Sequence, residues 1–242
     1  MKSWLKYLII APIILIAILV LLYSMRYNYE NKEIENTIYE VMEYMCGADT
    51  QINKFAAGDV LFDLSNIDNG HKIKLKDTKV KIENKQENLA DAICRIELIL
   101  SDNTIDVCWY RVKLVNKECW RIYDINEQKP ILFNEGRFSG DTKELEKVFS
   151  TFIKKYKEDK DYTIKNYSAG LVRRNLELYG EQEELINNDL EDLSFNYVCG
   201  DSKLVVVDAN YSINKAKVSN LITFYNTNEG WKIVDIKSSL IK

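Results

Sequence analysis

The sequence predicts an α+β protein: an N-terminal transmembrane helix followed by two small domains, each a long helix packed on a curved antiparallel sheet. Three observations predict it. Residues Tyr7 to Met25 carry no charged side chain. Beyond them, amphipathic helical stretches are followed by runs of alternating polar and apolar residues. Finally, this order occurs twice, at an offset of 111 residues from Trp120 to Trp231.

The chain has 242 residues, with 33 Lys plus Arg against 37 Asp plus Glu. Its hydrophobic fraction of 46% supplies ample material for a core and excludes a disordered chain. The net charge of −4 gives no global basic field, which argues against a nucleic-acid partner. Two prolines and nine glycines exclude collagen-like and Gly/Pro linker proteins.

The first element is the anchor. From Tyr7 to Met25 a helix is roughly 28 Å long, the thickness of a bilayer's hydrocarbon core. Tyr7 and Tyr23 bracket it as interfacial aromatics, and Pro12 lies about one turn in, where membrane helices tolerate it. Lys2 and Lys6 precede it, predicting a cytoplasmic N-terminus and an extracytoplasmic remainder. The exit, Leu21-Leu-Tyr-Ser-Met-Arg26, lacks the small-residue site of a cleaved signal peptide. The expected partner here is the lipid bilayer, through residues 7–25.

The remainder divides into a domain over 30–128, a linker over 129–140 and a second domain over 141–242, after the 1–26 tail and anchor. Ile34, Ile38, Val41, Met42 and Met45 lie on one face of a helix, and Leu145, Phe149, Phe152, Ile153 and Tyr156 repeat that spacing. Next come Phe55-Ala-Ala-Gly58 and Tyr167-Ser-Ala-Gly170, each read as a short helix or turn. Strands follow. In the first domain they are expected at Lys72–Lys76, Lys79–Glu83, Ala90–Ser101, Thr104–Val115 and Cys119–Asn126. In the second they are expected at Leu193–Val198, Lys203–Ile213, Lys215–Tyr225 and Trp231–Lys237. The turn signals between them predict antiparallel hairpins. Asp141, with Glu144 three residues on, marks the start of the second long helix.

Both units close on Trp-x-Ile-x-Asp-Ile, at Trp120–Ile125 and Trp231–Ile236. With the long first helix and the Ala-Gly motif, this order resembles the cone-shaped nuclear transport factor 2-like (cystatin-like) fold over residues 30–128 and 141–240. Two such units behind one anchor are similar to TcpC-type conjugative transfer proteins and to the inner-membrane scaffold of type IV secretion systems. The resemblance implies a non-enzymatic envelope component whose partners are other envelope or secretion-machinery proteins, or further copies of itself.

The chemistry read from the residues agrees with a non-enzymatic role. His71 is the only histidine, so two-histidine zinc sites are excluded. No G-x-G-x-x-G or Walker motif occurs, so no cofactor is expected. The run Ser65–Gly70 fails as a calcium loop because Ile67 holds a ligand position. Asp106 and Asp208 are the strand acids available for proton transfer, and acids in half-exposed strands usually face water.

Three groups remain as interaction or linkage candidates. Lys72, Lys74 and Lys76 alternate with Ile73 and Leu75, as a guarded edge strand or as a docking face for anionic lipid or an acidic partner. Trp109, Trp120 and Trp231 are aromatic candidates, the first two also fitting a core. The five cysteines are buried small hydrophobes, or one bridge forms among Cys94, Cys108 and Cys119. The expected function is a membrane-anchored scaffold in conjugative transfer or a related envelope assembly. Two alternatives stand beside it: a small-molecule binding or isomerase-like cone, and an extracytoplasmic regulator of immunity or sporulation.

Overall fold

The computed structural model describes residues 3–66, 73–179, 190–213 and 215–239, with side chains described over 15–66, 73–178, 190–212 and 215–237. The chain is a mixed α+β protein with a long N-terminal helix and two four-stranded antiparallel sheets. The helix α1 runs unbroken over Ser3–Met45. A 3₁₀ turn (Ile52–Lys54) and α2 (Gly58–Ser65) follow, then β1 (Lys74–Lys85), β2 (Leu89–Ile99), β3 (Ile105–Asn116) and β4 (Trp120–Gln128). The second half comprises α3 (Thr142–Glu158), α4 (Lys160–Tyr167), α5 (Gly170–Tyr179), β5 (Glu191–Gly200), β6 (Leu204–Ile213), β7 (Ala216–Thr227) and β8 (Gly230–Ser239). Each sheet is a simple meander, in the orders β1-β2-β3-β4 and β5-β6-β7-β8.

Periodicity decides which faces are buried. In α1, Ile34, Ile38, Val41 and Met42 are fully buried against Ala92, Cys94, Ile96, Val112 and Leu114, alternate residues of β2 and β3. In α3, Leu145, Phe149, Phe152 and Ile153 do the same against Val205, Val207, Ala209, Ile222 and Phe224. Asp141 caps α3 by accepting from the Lys143 N–H at 2.9 Å.

The two halves also share their irregularities. Ala56 bridges in parallel to Ile122, and Ser168 to Ile233, at the start of each closing strand. Each closing strand carries a bulge in its Trp-x-Ile-x-Asp motif: Tyr123 is the extra residue in β4 and Val234 in β8.

One expectation needs correction. Over the described residues, the strands expected at Lys72–Lys76 and Lys79–Glu83 form one strand, β1 (Lys74–Lys85), with a register shift between Leu75 and Asp77. That shift lets Leu75 and then Val80 and Ile82 pack toward the core despite their different parity. The 129–140 segment packs along its length against both halves. Ile131, Leu132 and Phe133 pack against Val107, Trp109, Leu204 and Tyr225, in a cluster where the two halves meet.

Candidate functional site

Two features stand out: the free part of α1 and the junction between the halves. The first is a helical stretch whose described side chains, from residue 15 to 25, join no hydrophobic cluster of the body. From Leu15 to Met25 every large apolar side chain is exposed, with Leu15 at 58%, Leu19 at 57% and Val20 at 62%. A helix apolar on all sides needs an apolar surround. Among the described residues, no helix is long and apolar enough to cross a membrane. Residues 7–14 of the expected span lie outside those whose side chains are described.

Where the free helix meets the body, Lys85 holds it. The Lys85 ammonium donates to Glu30 Oε2 at 3.1 Å and Asn31 Oδ1 at 3.0 Å, and lies 3.9 Å from the centre of the Tyr27 ring. The side chain is only 8% exposed. Gln86 and Glu87, at the tip of the β1–β2 hairpin, line a groove with Tyr23 and Arg26. The hairpin therefore reaches down to the apolar segment.

The junction is built from the outer faces of both sheets, those turned away from α1 and α3. Trp109 meets Tyr225 edge-on, with ring centres 5.6 Å apart. Beside them Glu97 is buried and accepts from Tyr225 Oη at 2.6 Å and Lys76 Nζ at 3.0 Å, with Lys203 Nζ at 3.7 Å. Burial alone pushes the Glu97 carboxyl up. The hydrogen bonds from Tyr225 and Lys76, with the charges of Lys76 and Lys203, outweigh it and hold the group below the usual carboxylate range. Burial and the adjoining Glu97 push the Tyr225 hydroxyl well up, against the opposing charge of Arg95. Arg95, also buried, pairs with Glu135 from the connecting segment and with Asp77.

At the flank, α5 abuts the edge of β3. β4 pairs with β3 only as far as Trp109, which leaves residues 105–108 uncovered on that side. Lys232 donates to the Ile105 carbonyl at 3.2 Å, and Asp106 accepts from the Gly170 N–H at 2.6 Å. Gly170 sits at φ +64°, and a Cβ there would come within 2.7 Å of the Val107 carbonyl oxygen. Arg174 reaches across to Asp106 at 3.2 Å and to Glu127.

The sequence-derived candidates fall as follows. Trp109 lies in the junction, Trp120 in the first core, and half-buried Trp231 beside Phe138. Lys76 faces Glu97 and Asn228 and so belongs to the junction, whereas Lys74 is exposed with no place there. Lys72 and His71 lie outside the described residues, as does most of the Ser65–Gly70 run. Asp106 is spent on Gly170 and Arg174, and Asp208 accepts from Ser219 and Asn210. Among the described residues, no cluster of His, Cys, Asp and Glu is arranged to hold a metal. Sequence reading missed Arg95, Glu97, Tyr225 and Arg174. The available signal was Arg95 and Glu97 inside the otherwise apolar run of β2.

The bridge among Cys94, Cys108 and Cys119 is not formed; all five cysteines are free. Register explains it. Cys94 faces Tyr110 and Cys108 faces Ile96, so the two thiols are diagonal neighbours, whose roughly 7–8 Å spacing exceeds disulfide reach. Burial pushes the thiols of Cys94 and Cys108 up to about 12 and about 11. Burial and then Glu43 raise Cys46 to about 11. At pH 8 these three stay protonated, while Cys119 and Cys199 are exposed. Brief alkylation of the native chain is expected to modify those two and leave the other three until denaturant is added, as counted by intact mass.

Among the described residues, apolar side chains pack together in both cores. In the second half Phe149, Phe195, Tyr211 and Phe224 meet in ring contacts of 5.8 to 6.2 Å. A groove of about 550 Å³ beside α1, lined by Tyr29, Phe55, Cys119 and Trp120, opens at the surface.

No protein-family model matches the chain, and no curated protein matches it. Among solved structures it is similar to a nuclear transport factor 2-like protein involved in plasmid conjugation, 14% identical, with a TM-score of 0.28 over 83% of this chain and 93% of that one. It is also similar to a cystatin-like protein from Ruminococcus gnavus ATCC 29149, 12% identical, with a TM-score of 0.27 over 69% of this chain and 68% of that one.

Proposed function

We propose that the chain is a membrane-anchored, non-enzymatic scaffold, with its N-terminus cytoplasmic and a body of two duplicated cone-shaped domains outside the membrane. The observation that carries this reading is the bare apolar stretch Leu15–Met25, continuous with a helix whose next turns form the core of the body. A hydrophobic surface on all sides of a helix is stable in lipid and costly in water. The packed cores leave the faces of the body, rather than a pocket, as the working surface.

Conjugative transfer, or a related envelope assembly, is the setting we propose. It rests on the order of elements and the repeated Trp-x-Ile-x-Asp-Ile strand. The test is genetic and topological. Deleting the gene from a transmissible element is expected to abolish transfer, with the wild-type chain restoring it. Protease added to intact, wall-stripped cells is expected to degrade the body. Undiminished transfer, or a body protected until the cells are lysed, would sink the reading.

A further inference from the structure

Corresponding residues of the two halves lie at corresponding positions, and only one set is covered. Leu204 opens β6 opposite Tyr225, which faces Lys232 on β8. Leu89 opens β2 opposite Val115, which faces Arg121 on β4. Val234 and Tyr123 are the two bulge residues. In the second half Leu204, Tyr225, Lys232 and Val234 are at most 3% exposed, because the first half lies on them. In the first half Leu89 is 46% and Tyr123 40% exposed, with Val115 and Arg121 half-buried.

The short helices tell the same story. Counting from Gly58 and Gly170, Phe62 stands where Arg174 stands. Arg174 is tied to Asp106 and Glu127, whereas Phe62 is 71% exposed. A Cβ on Gly170 would strike the neighbouring half, while one on Gly58 would meet nothing within 4 Å.

We propose that a second copy of the chain covers this surface, the outer face of the first sheet at its anchor end, with Leu89, Val115, Tyr123 and Phe62 at the centre of the contact. The occupant follows from what covers the matching surface within one chain, namely the outer sheet face of a like unit, bearing Val107, Trp109 and Glu97. In the second half, register places Lys217, Ser219 and Ser212 at those positions. Head-to-tail repetition would therefore set Leu89 and Tyr123 against polar groups. Like against like sets apolar against apolar, an isologous two-fold contact. At its rim Lys113 binds Asp124 at 2.9 Å and faces Asp91 across the ladder, while Arg121 stands opposite Val115. The patch also continues the face already used for packing between the halves. Copies anchored in one membrane share an orientation, so such a contact would set them side by side. That arrangement rests on the membrane reading; the contact does not.

The test uses the full chain in detergent, with its mass read by light scattering after size exclusion and corrected for bound detergent. The wild type is expected at twice the chain mass. Leu89→Glu with Tyr123→Glu is expected to halve that mass without changing the far-ultraviolet circular dichroism or the melting midpoint. Leu221→Glu, on the outer face of the second sheet, is expected to keep it doubled. A monomeric wild type, a dimer untouched by the double substitution, or a dimer broken by Leu221→Glu would overturn the contact. A dimer that washes off membranes would instead sink the anchor and leave the contact standing.

Discussion

Replacing Glu97 by Ala is expected to remove about 3–5 kcal/mol of stability, the usual cost of deleting one partner from a buried ion pair. The change strands the buried Tyr225 hydroxyl and takes a counter-charge from two lysines that keep other acceptors, Asn228 for Lys76 and the Asn226 carbonyl for Lys203. Tyr225 Oη loses its acceptor at 2.6 Å, and Lys76 and Lys203 lose the charge they face. For a chain of this size the loss corresponds to a fall in Tm of about 10 °C. Trp109 lies edge-on to Tyr225, so its fluorescence reports the opening of the junction directly. The measurement is chemical denaturation of the full chain in detergent, followed by tryptophan emission. Adding Tyr225→Phe to Glu97→Ala should cost less than the two changes summed, because the second then removes a group already left unpaired. A loss below about 1 kcal/mol for Glu97→Ala would mean the apolar contacts alone hold the halves together.

Acid should act through the same group. The folded-state pKa of Glu97 is depressed, so its contribution is fully present above the unfolded value and is lost as pH falls through the folded one. Wild-type stability should therefore drop as pH falls below the ordinary carboxylate range. Glu97→Gln should lack that part of the drop.

Much of the fold was legible because burial enforces period. Ile34, Ile38, Val41 and Met42 repeat at helical spacing because one face of α1 meets a sheet, and the strands alternate because one face of each sheet meets a helix. Where a strand is buried on both faces, the alternation fades. β2 is the clearest case: Ala92 through Leu98 are all buried, the even positions against α1, with Arg95 and Glu97 turned toward the connecting segment and the second half. From sequence, Arg95 and Glu97 look like solvent-facing residues of a half-exposed strand. Their partners, Tyr225 and Glu135, lie 128 and 40 residues away, and no local pattern predicts such pairs. The β1 bulge was invisible for a similar reason. It is set by which side chains reach the core, and Lys76 is the extra residue because it turns outward to Glu97. The exposed patch at Leu89 and Tyr123 becomes visible only once the second half shows its counterpart covered.

If the proposed anchor holds the chain in a membrane, placing two charges in the free segment of α1 should release it while leaving the body intact. Ile16 and Leu19 are 60% and 57% exposed and belong to no cluster of the body. Substituting both by Lys therefore removes no packing from the folded halves. A charged side chain near the centre of a membrane helix costs about 2.5–3.5 kcal/mol to insert, so the pair costs roughly 5–7 kcal/mol. That is enough to reverse the insertion of a single marginal helix. The wild-type chain is expected in the carbonate-resistant membrane pellet, and Ile16→Lys with Leu19→Lys in the supernatant. Both should show the same tryptophan emission and the same melt. Phe62→Lys, an equally exposed apolar residue on the body, should stay in the pellet. Equal recovery of the double variant and the wild type in the pellet would refute the anchor. The Lys85 clamp makes a further demand. Because Glu30, Asn31 and Tyr27 are fixed to the hairpin, the helix leaves the body in one direction. Lys85→Met should therefore leave the chain in the pellet yet broaden the distance between spin labels at Ser24 and Glu87, two positions that the intact clamp holds in a single separation.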